Sequence, residues 1–202
     1  MAASLLIGTH NVGKIREIAA LLVDGPWHCV GLPPATPDFP EDGQTFAENA
    51  RGKALFYADR EGLPTLADDS GLIIDALGGE PGVYSARYID PAITQAERNR
   101  GVLEKLAATP RGARSARFTC HLVLALPGRV VHETTGVCEG AISEAVHGDQ
   151  GFGYDPIFRP AGHASTFGQI DLDAKAQLSH RGQAVRAMIR FLQSWDPSLG
   201  VS

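Results

Sequence analysis

The feature that most constrains this chain is its opening, where the aliphatic run Leu5-Leu6-Ile7 is cut by Gly8 and followed directly by helical spacing. A continuous apolar run reads as a strand buried on both faces, unlike the in-out alternation of a half-exposed strand. Ile15, Ile18, Ala19 and Leu22 then keep the i, i+3, i+4, i+7 spacing of a helix, and Gly25-Pro26 is a stop signal. Trp27 to Leu32 reads as a second strand. Strand, helix, strand at this spacing argues for an α/β architecture with some parallel pairing.

The rest of the chain extends that reading. Pro33 to Gly43 holds four prolines with Asp38, Glu41 and Asp42, the composition of a loop. Thr45-Phe46-Ala47-Glu48 and Thr94-Gln95-Ala96-Glu97 both have the Thr-x-x-Glu form of a capping box. They predict helices running to about Arg60 and about Ala107. Between them, a strand is expected at Thr65 to Ala67, followed by turns or a hairpin over the glycine-rich Gly71 to Gly82. Ala116 to Leu126 and Arg129 to Ile142, joined at Pro127-Gly128, predict a long antiparallel hairpin. A last helix starts near Ser179 and aligns Val185, Met188, Ile189 and Leu192. With no linker, repeat or low-complexity tract, residues 1–202 read as a single domain.

Charge and composition exclude several functions. Lys and Arg number 18 against 23 Asp and Glu, a net charge of −5, with no basic run, so nucleic acid is not an expected partner. Three widely spaced cysteines, Cys29, Cys120 and Cys138, match neither a disulfide framework nor a zinc site, and predict reduced thiols in the cytoplasm. No apolar run reaches the roughly 20 residues of a membrane span, and the first residues lack the basic region of a signal peptide.

Four segments carry candidate chemistry. Gly8-Thr9-His10-Asn11-Val12-Gly13-Lys14 has the G-x-x-x-x-G-K spacing of a P-loop, but Ile15 stands where a P-loop needs a hydroxyl for magnesium. What remains is an anion site made from a helix N-terminus and the Lys14 ammonium, or an ordinary turn capped by Asn11. Asp68 and Asp69, followed by Ser70 and Gly71, close an apolar strand. Their side chains should point to opposite faces, one toward a site and one toward a turn. In Gly151-Phe152-Gly153-Tyr154-Asp155-Pro156, an aromatic between two glycines can stack on a base or anchor a tight turn. Ser179-His180-Arg181-Gly182 gathers hydrogen-bond donors at a helix start, suited to phosphate or a base carbonyl. Together they describe a nucleotide bound with its metal.

These segments, with Phe46 to Ala50, Leu77 to Gly79 and Pro81 to Tyr88, resemble the family of non-canonical purine nucleoside triphosphate pyrophosphatases. The blocks span nearly the whole chain, and His10 departs from the small residue usual in that family. The resemblance implies an elongated α/β fold, a mixed β-sheet with flanking helices in two lobes around a central cleft, and a homodimer. It also implies hydrolysis of ITP, dITP and XTP to monophosphate and pyrophosphate, cleaning the nucleotide pool. Carried over, Glu41 and Asp69 hold Mg2+, with Asp69 also the base for water and Asp68 a second candidate for that base. Lys53 acts in catalysis and Lys14 neutralises the triphosphate. Thr9, His10, Asn11, Val12, Gly13, Asn49, Ser70, Phe152, Gly153, Tyr154, Asp155, Lys175, His180 and Arg181 contact substrate. A related pyrophosphatase for other triphosphates and a nucleotide-binding regulator without turnover are the competing readings.

Overall fold

The computed structural model describes residues 3–23, 25 and 27–195. Its strands are β1 (Ala3–Ile7), β2 (Trp27–Gly31), β3 (Thr65–Ile74), β4 (Ser115–Leu126), β5 (Arg129–Ile142) and β6 (Phe158–Pro160). Its helices are α1 (Val12–Leu22), α2 (Phe46–Glu61), α3 (Gln95–Lys105), α4 (Leu172–Leu178) and α5 (His180–Leu192). The sheet order is β2-β1-β3-β4-β5-β6. β1 runs parallel to β2 and to β3, and β5 antiparallel to β6, which makes the sheet mixed, as the sequence predicts. Among the described residues no helix is long and apolar enough to cross a membrane.

Both capping boxes form: the Thr45 and Thr94 hydroxyls accept from the Glu48 and Glu97 N–H groups, and the glutamates answer the cap N–H groups. The expected stop of α1 at Gly25-Pro26 lies partly outside the described residues. Two expectations need correction. The strand predicted to end at Ala67 continues through Asp68-Asp69-Ser70-Gly71 to Ile74, so the two aspartates sit in mid-strand. Only beyond Ile74 do turns begin, at Gly78 and Gly79 with φ of 65° and 95°. Asp171 also caps a seven-residue helix, α4, that ends where the predicted last helix begins.

The chain divides into two compact units. The first comprises the chain up to Asp69, Cys120–Gly136 and Arg181 onward; the second comprises Ser70–Thr119 and Val137–His180. In the first, the alternation of strand side chains sorts the core into two layers. Leu5, Ile7, Leu66, Leu122 and Leu124 pack with Ile18 and Leu22 of α1 and Ala184, Val185 and Met188 of α5. Ala67, Val123 and Ala125 point the other way, against Ala50, Ala54 and Ala58 of α2. Alanines at every fourth position give α2 a smooth face that lies close to the strands. The second unit has its own core of Leu72, Ile74, Val102, Leu106, Phe118, Ile142, Ile157, Phe158 and Phe167. There the buried Arg114 donates to the carbonyls of Leu106, Thr109 and Ser143, satisfying chain ends that packing would otherwise strand.

Candidate active site

The two-layer arrangement decides what the paired aspartates meet. Asp68 is two residues from Leu66 and shares its face, toward α1 and α5; Asp69 follows Ala67 toward α2. On the first face the Asp68 Oδ2 accepts from Arg181 Nε and Nη2 at 3.3 and 3.2 Å, and Lys14 Nζ stands 3.2 Å away. Arg181 Nη1 donates to Glu17 Oε2 at 2.5 Å. Arg181 is 2% exposed. Burial alone would weaken its charge, but Asp68 and Glu17 outweigh burial and hold its pKa above the ordinary value. Burial and the neighbouring Asp68 carboxylate push the Cys120 thiol up, so it stays protonated.

On the second face, Asn49 of α2 donates from Nδ2 to Asp69 Oδ2 at 2.9 Å and accepts the Gly43 N–H at 2.8 Å. One helical turn on, Lys53 donates to Glu41 in the proline-rich loop and to the Asp68 main-chain carbonyl at 3.1 Å. That loop is seated on α2: the Phe39 N–H donates to the Tyr57 hydroxyl at 3.1 Å, and the Phe39 ring occupies the space a side chain at Gly52 would fill. Burial raises the Asp69 pKa; the lysines Lys14 and Lys53 oppose it, and Glu41 adds to it. Burial pulls Lys53 down, and Glu41, Asp68 and Asp69 more than reverse it. Protonated lysines beside an acid that ionises reluctantly are groups able to bind phosphates and to take a proton.

Among the described residues no group of three or more metal-ligating side chains stands together. Glu41 and Asp69 repel one another electrostatically, and two hard carboxylates are the donor set Mg2+ takes when waters and phosphates complete its shell. Glu41 and Asp69 could contribute to such a shell.

In the β1–α1 turn, Asn11 accepts the Lys14 N–H at 3.1 Å as N-cap, and the Thr9 hydroxyl accepts the Asn11 N–H at 3.1 Å. His10 Nε2 donates to the Thr36 carbonyl at 2.9 Å, tying the turn to the proline-rich loop. Val12, which is exposed, opens the helix and Gly13 is its second residue.

In the second unit, Asp155 Oδ2 accepts from the Phe152 N–H at 2.7 Å and from Lys175 Nζ at 2.5 Å. The Lys175 ammonium also lies 4.7 Å from the Phe152 ring centre and 5.6 Å from that of Phe167, a cation–π pair of contacts. His180 stacks on Phe118 at 4.7 Å, and the Tyr154 hydroxyl donates to the Ser85 carbonyl at 2.8 Å. Gly153 takes φ of 63° and its carbonyl accepts from Asn99. Ser70, on β3, is half-buried.

A model described as the Ham1 family matches residues 5–191. The chain belongs to this family. Relatives called dITP/XTP pyrophosphatase include those of Geobacter sulfurreducens, 43% identical over 95% of this chain and 97% of that one, and Thermus thermophilus, 44% identical over 98% and 96%. The solved structure of a HAM1 protein from Coxiella burnetii superposes with a TM-score of 0.86 at 39% identity, covering 96% of this chain and all of that one.

The sequence of this Ham1 chain suits Arg181 to a phosphate or a base carbonyl, and the structure adds two acidic partners to it. Its guanidinium is taken up by Asp68 and Glu17. Glu17 itself escapes a reading by motif, because an acid within an amphipathic helix reads as solvated and its partner lies 164 residues away.

Proposed function

We propose that this protein hydrolyses non-canonical purine nucleoside triphosphates, ITP, dITP and XTP, to the nucleoside monophosphate and pyrophosphate. The observation that carries this reading is Asp69: a carboxylate oriented by Asn49, with its pKa raised by burial, on a strand whose neighbouring residues collect two lysines. In the proposed reaction Asp69 takes the proton of a water that attacks the α-phosphorus. Lys53 and Lys14 neutralise the oxygens of the departing pyrophosphate. Glu41 and Asp69 would hold Mg2+, which supplies further charge neutralisation on the phosphates. Most of the acceleration then comes from positioned charge, not from covalent chemistry.

Selection for the base rests on the chemistry of the second unit. Inosine and xanthosine carry a carbonyl at C6 where adenosine carries an amino group, and the Lys175 ammonium offers only donors. A 6-oxo group satisfies such a donor, whereas a 6-amino group leaves it unpaired and meets it hydrogen to hydrogen. Phe152 offers a ring face for stacking. The names of the relatives support the same substrate class, and the family resemblance alone is the ground for adding to the proposal that the protein acts as a homodimer in the cytoplasm.

The test is incubation with ITP and Mg2+ followed by anion-exchange chromatography. IMP and pyrophosphate in equal amounts are expected; IDP with orthophosphate, or unchanged ITP bound to the protein, would overturn the reading. Sedimentation velocity tests the dimer.

A further inference from the structure

The first unit contains a ring of charges that begins and ends on α1. Lys14 and Glu17, three residues apart, are neighbours on that helix. Lys14 pairs with Asp68, Asp68 with Arg181, and Arg181 with Glu17. Two cations and two carboxylates balance to zero, in a place where Asp68 is fully buried and Arg181 nearly so. Removing one member of such a set leaves an uncompensated charge away from water, so each position depends on the others.

Asp68 is also where the phosphate-binding lysines converge. Its main-chain carbonyl accepts from Lys53 Nζ at 3.1 Å and from Lys14 Nζ at 3.5 Å, and its carboxylate pairs with Lys14 again. Arg181 holds that carboxylate through Nε and Nη2, and its Nη1 is held by Glu17. The guanidinium is thus fixed from both sides by acids of its own unit.

We propose that Glu17 is a positioning residue for phosphate binding: by anchoring Arg181 it fixes Asp68, and through Asp68 it sets where the Lys14 ammonium stands. This rests on the reading of Lys14 as a phosphate ligand. Glu17 touches no substrate; it acts through two intermediaries, and Asp68 becomes an organiser of cations, leaving the proton-accepting role to Asp69.

A purely structural Glu17 would lower stability without changing what Lys14 contributes, so the test is a double-mutant cycle. Binding of inorganic pyrophosphate, with Mg2+ present, is measured by calorimetry for the intact protein, Lys14→Met, Glu17→Gln and the double variant. Gln keeps the shape and one acceptor but removes the charge. Lys14→Met is expected to weaken binding by about tenfold in the parent and by less than about threefold in the Glu17→Gln background. Equal factors in both backgrounds overturn the proposal. Should Glu17→Gln fail to fold, Glu17→Asp, which keeps the charge and shortens its reach, carries the same cycle with the same two outcomes. Because the readout needs no turnover, a protein that shows the coupling but leaves ITP intact would reject the hydrolytic function while keeping the role of Glu17.

Discussion

Asn49 spans the gap between the proline-rich loop and β3: its Nδ2 donates to Asp69 Oδ2 at 2.9 Å while its Oδ1 accepts the Gly43 N–H at 2.8 Å. One planar group therefore fixes both the direction of the acid and the entry of the loop that bears Glu41. Asn49→Ala should lower kcat for ITP by about ten- to a hundredfold, roughly 1.4–2.7 kcal/mol, with a smaller change in KM, because a misaimed base costs more in the transition state than in binding. Steady-state kinetics with ITP checks this; a rise in KM alone would make Asn49 a substrate ligand only.

Asp69→Asn and Asp68→Asn should fail in different ways. The first removes the proposed proton acceptor and should leave less than about a tenth of kcat, with the fold intact. The second removes the carboxylate that Arg181 and Lys14 share, stranding a buried guanidinium, and should cost about 3–5 kcal/mol of stability. Urea unfolding beside initial-rate measurements separates the two. If Asp68→Asn keeps full stability but loses turnover, the base must be reassigned to Asp68.

Gly151 takes φ of 73°, and a Cβ there would lie 2.0 Å from Asp155 Oδ2. Gly151→Ala should displace that carboxylate from Lys175. The expected result is a higher KM for ITP and a smaller ratio of kcat/KM between ITP and ATP, with Lys175→Met shrinking the ratio in the same direction. An unchanged ratio in both variants would move base selection away from Lys175.

Glu133 accepts from Arg51 Nε at 2.7 Å and from His121 Nε2 at 2.8 Å. The hydrogen bond from Arg51, opposed by burial and aided by His121, holds its pKa below the ordinary 4.5. A carboxylate depressed in the folded state stabilises above its unfolded pKa, and that stabilisation is lost as pH falls through the folded value. Glu133→Gln should therefore be less stable than the parent at pH 7, by under about 1 kcal/mol given the exposure of the pair. The gap should shrink as pH falls below the ordinary 4.5 and through the lower folded value. Urea titrations at a series of pH values from 7 downward check the sign.

Much of this architecture is legible in the sequence because its signals are local. Both Thr-x-x-Glu boxes open helices, Pro127-Gly128 joins β4 to β5, and the β1–α1 turn stands where Gly8 and Asn11 place it. The continuation of β3 is not legible, since Asp-Asp-Ser-Gly has little strand propensity. What overrides propensity is burial with partners: Asp68, Asp69 and Gly71 are buried, and the two carboxylates are met by Arg181 and Asn49. The function of Arg181 is hidden for another reason. A His-Arg pair at a helix start looks like a display of donors, and only the three-dimensional approach of Glu17 and Asp68 shows that the arginine is consumed inside the fold.

The extension of β3 through its paired acids gives chemistry a parity. Asp68 and Asp69 have the same functional group and adjacent places in the chain, and they differ only in being even or odd along a pleat. A single residue inserted or deleted between Thr65 and Asp68 would swap their faces: an insertion brings Asp68 to the place that meets Asn49, and a deletion brings Asp69 to the place that meets Arg181. Two residues would restore the faces while shifting both acids along the strand. Reading frame along this one strand thus works as a binary label on identical side chains, and a scan of one- and two-residue insertions would show activity lost at the odd steps for a reason that no substitution reveals.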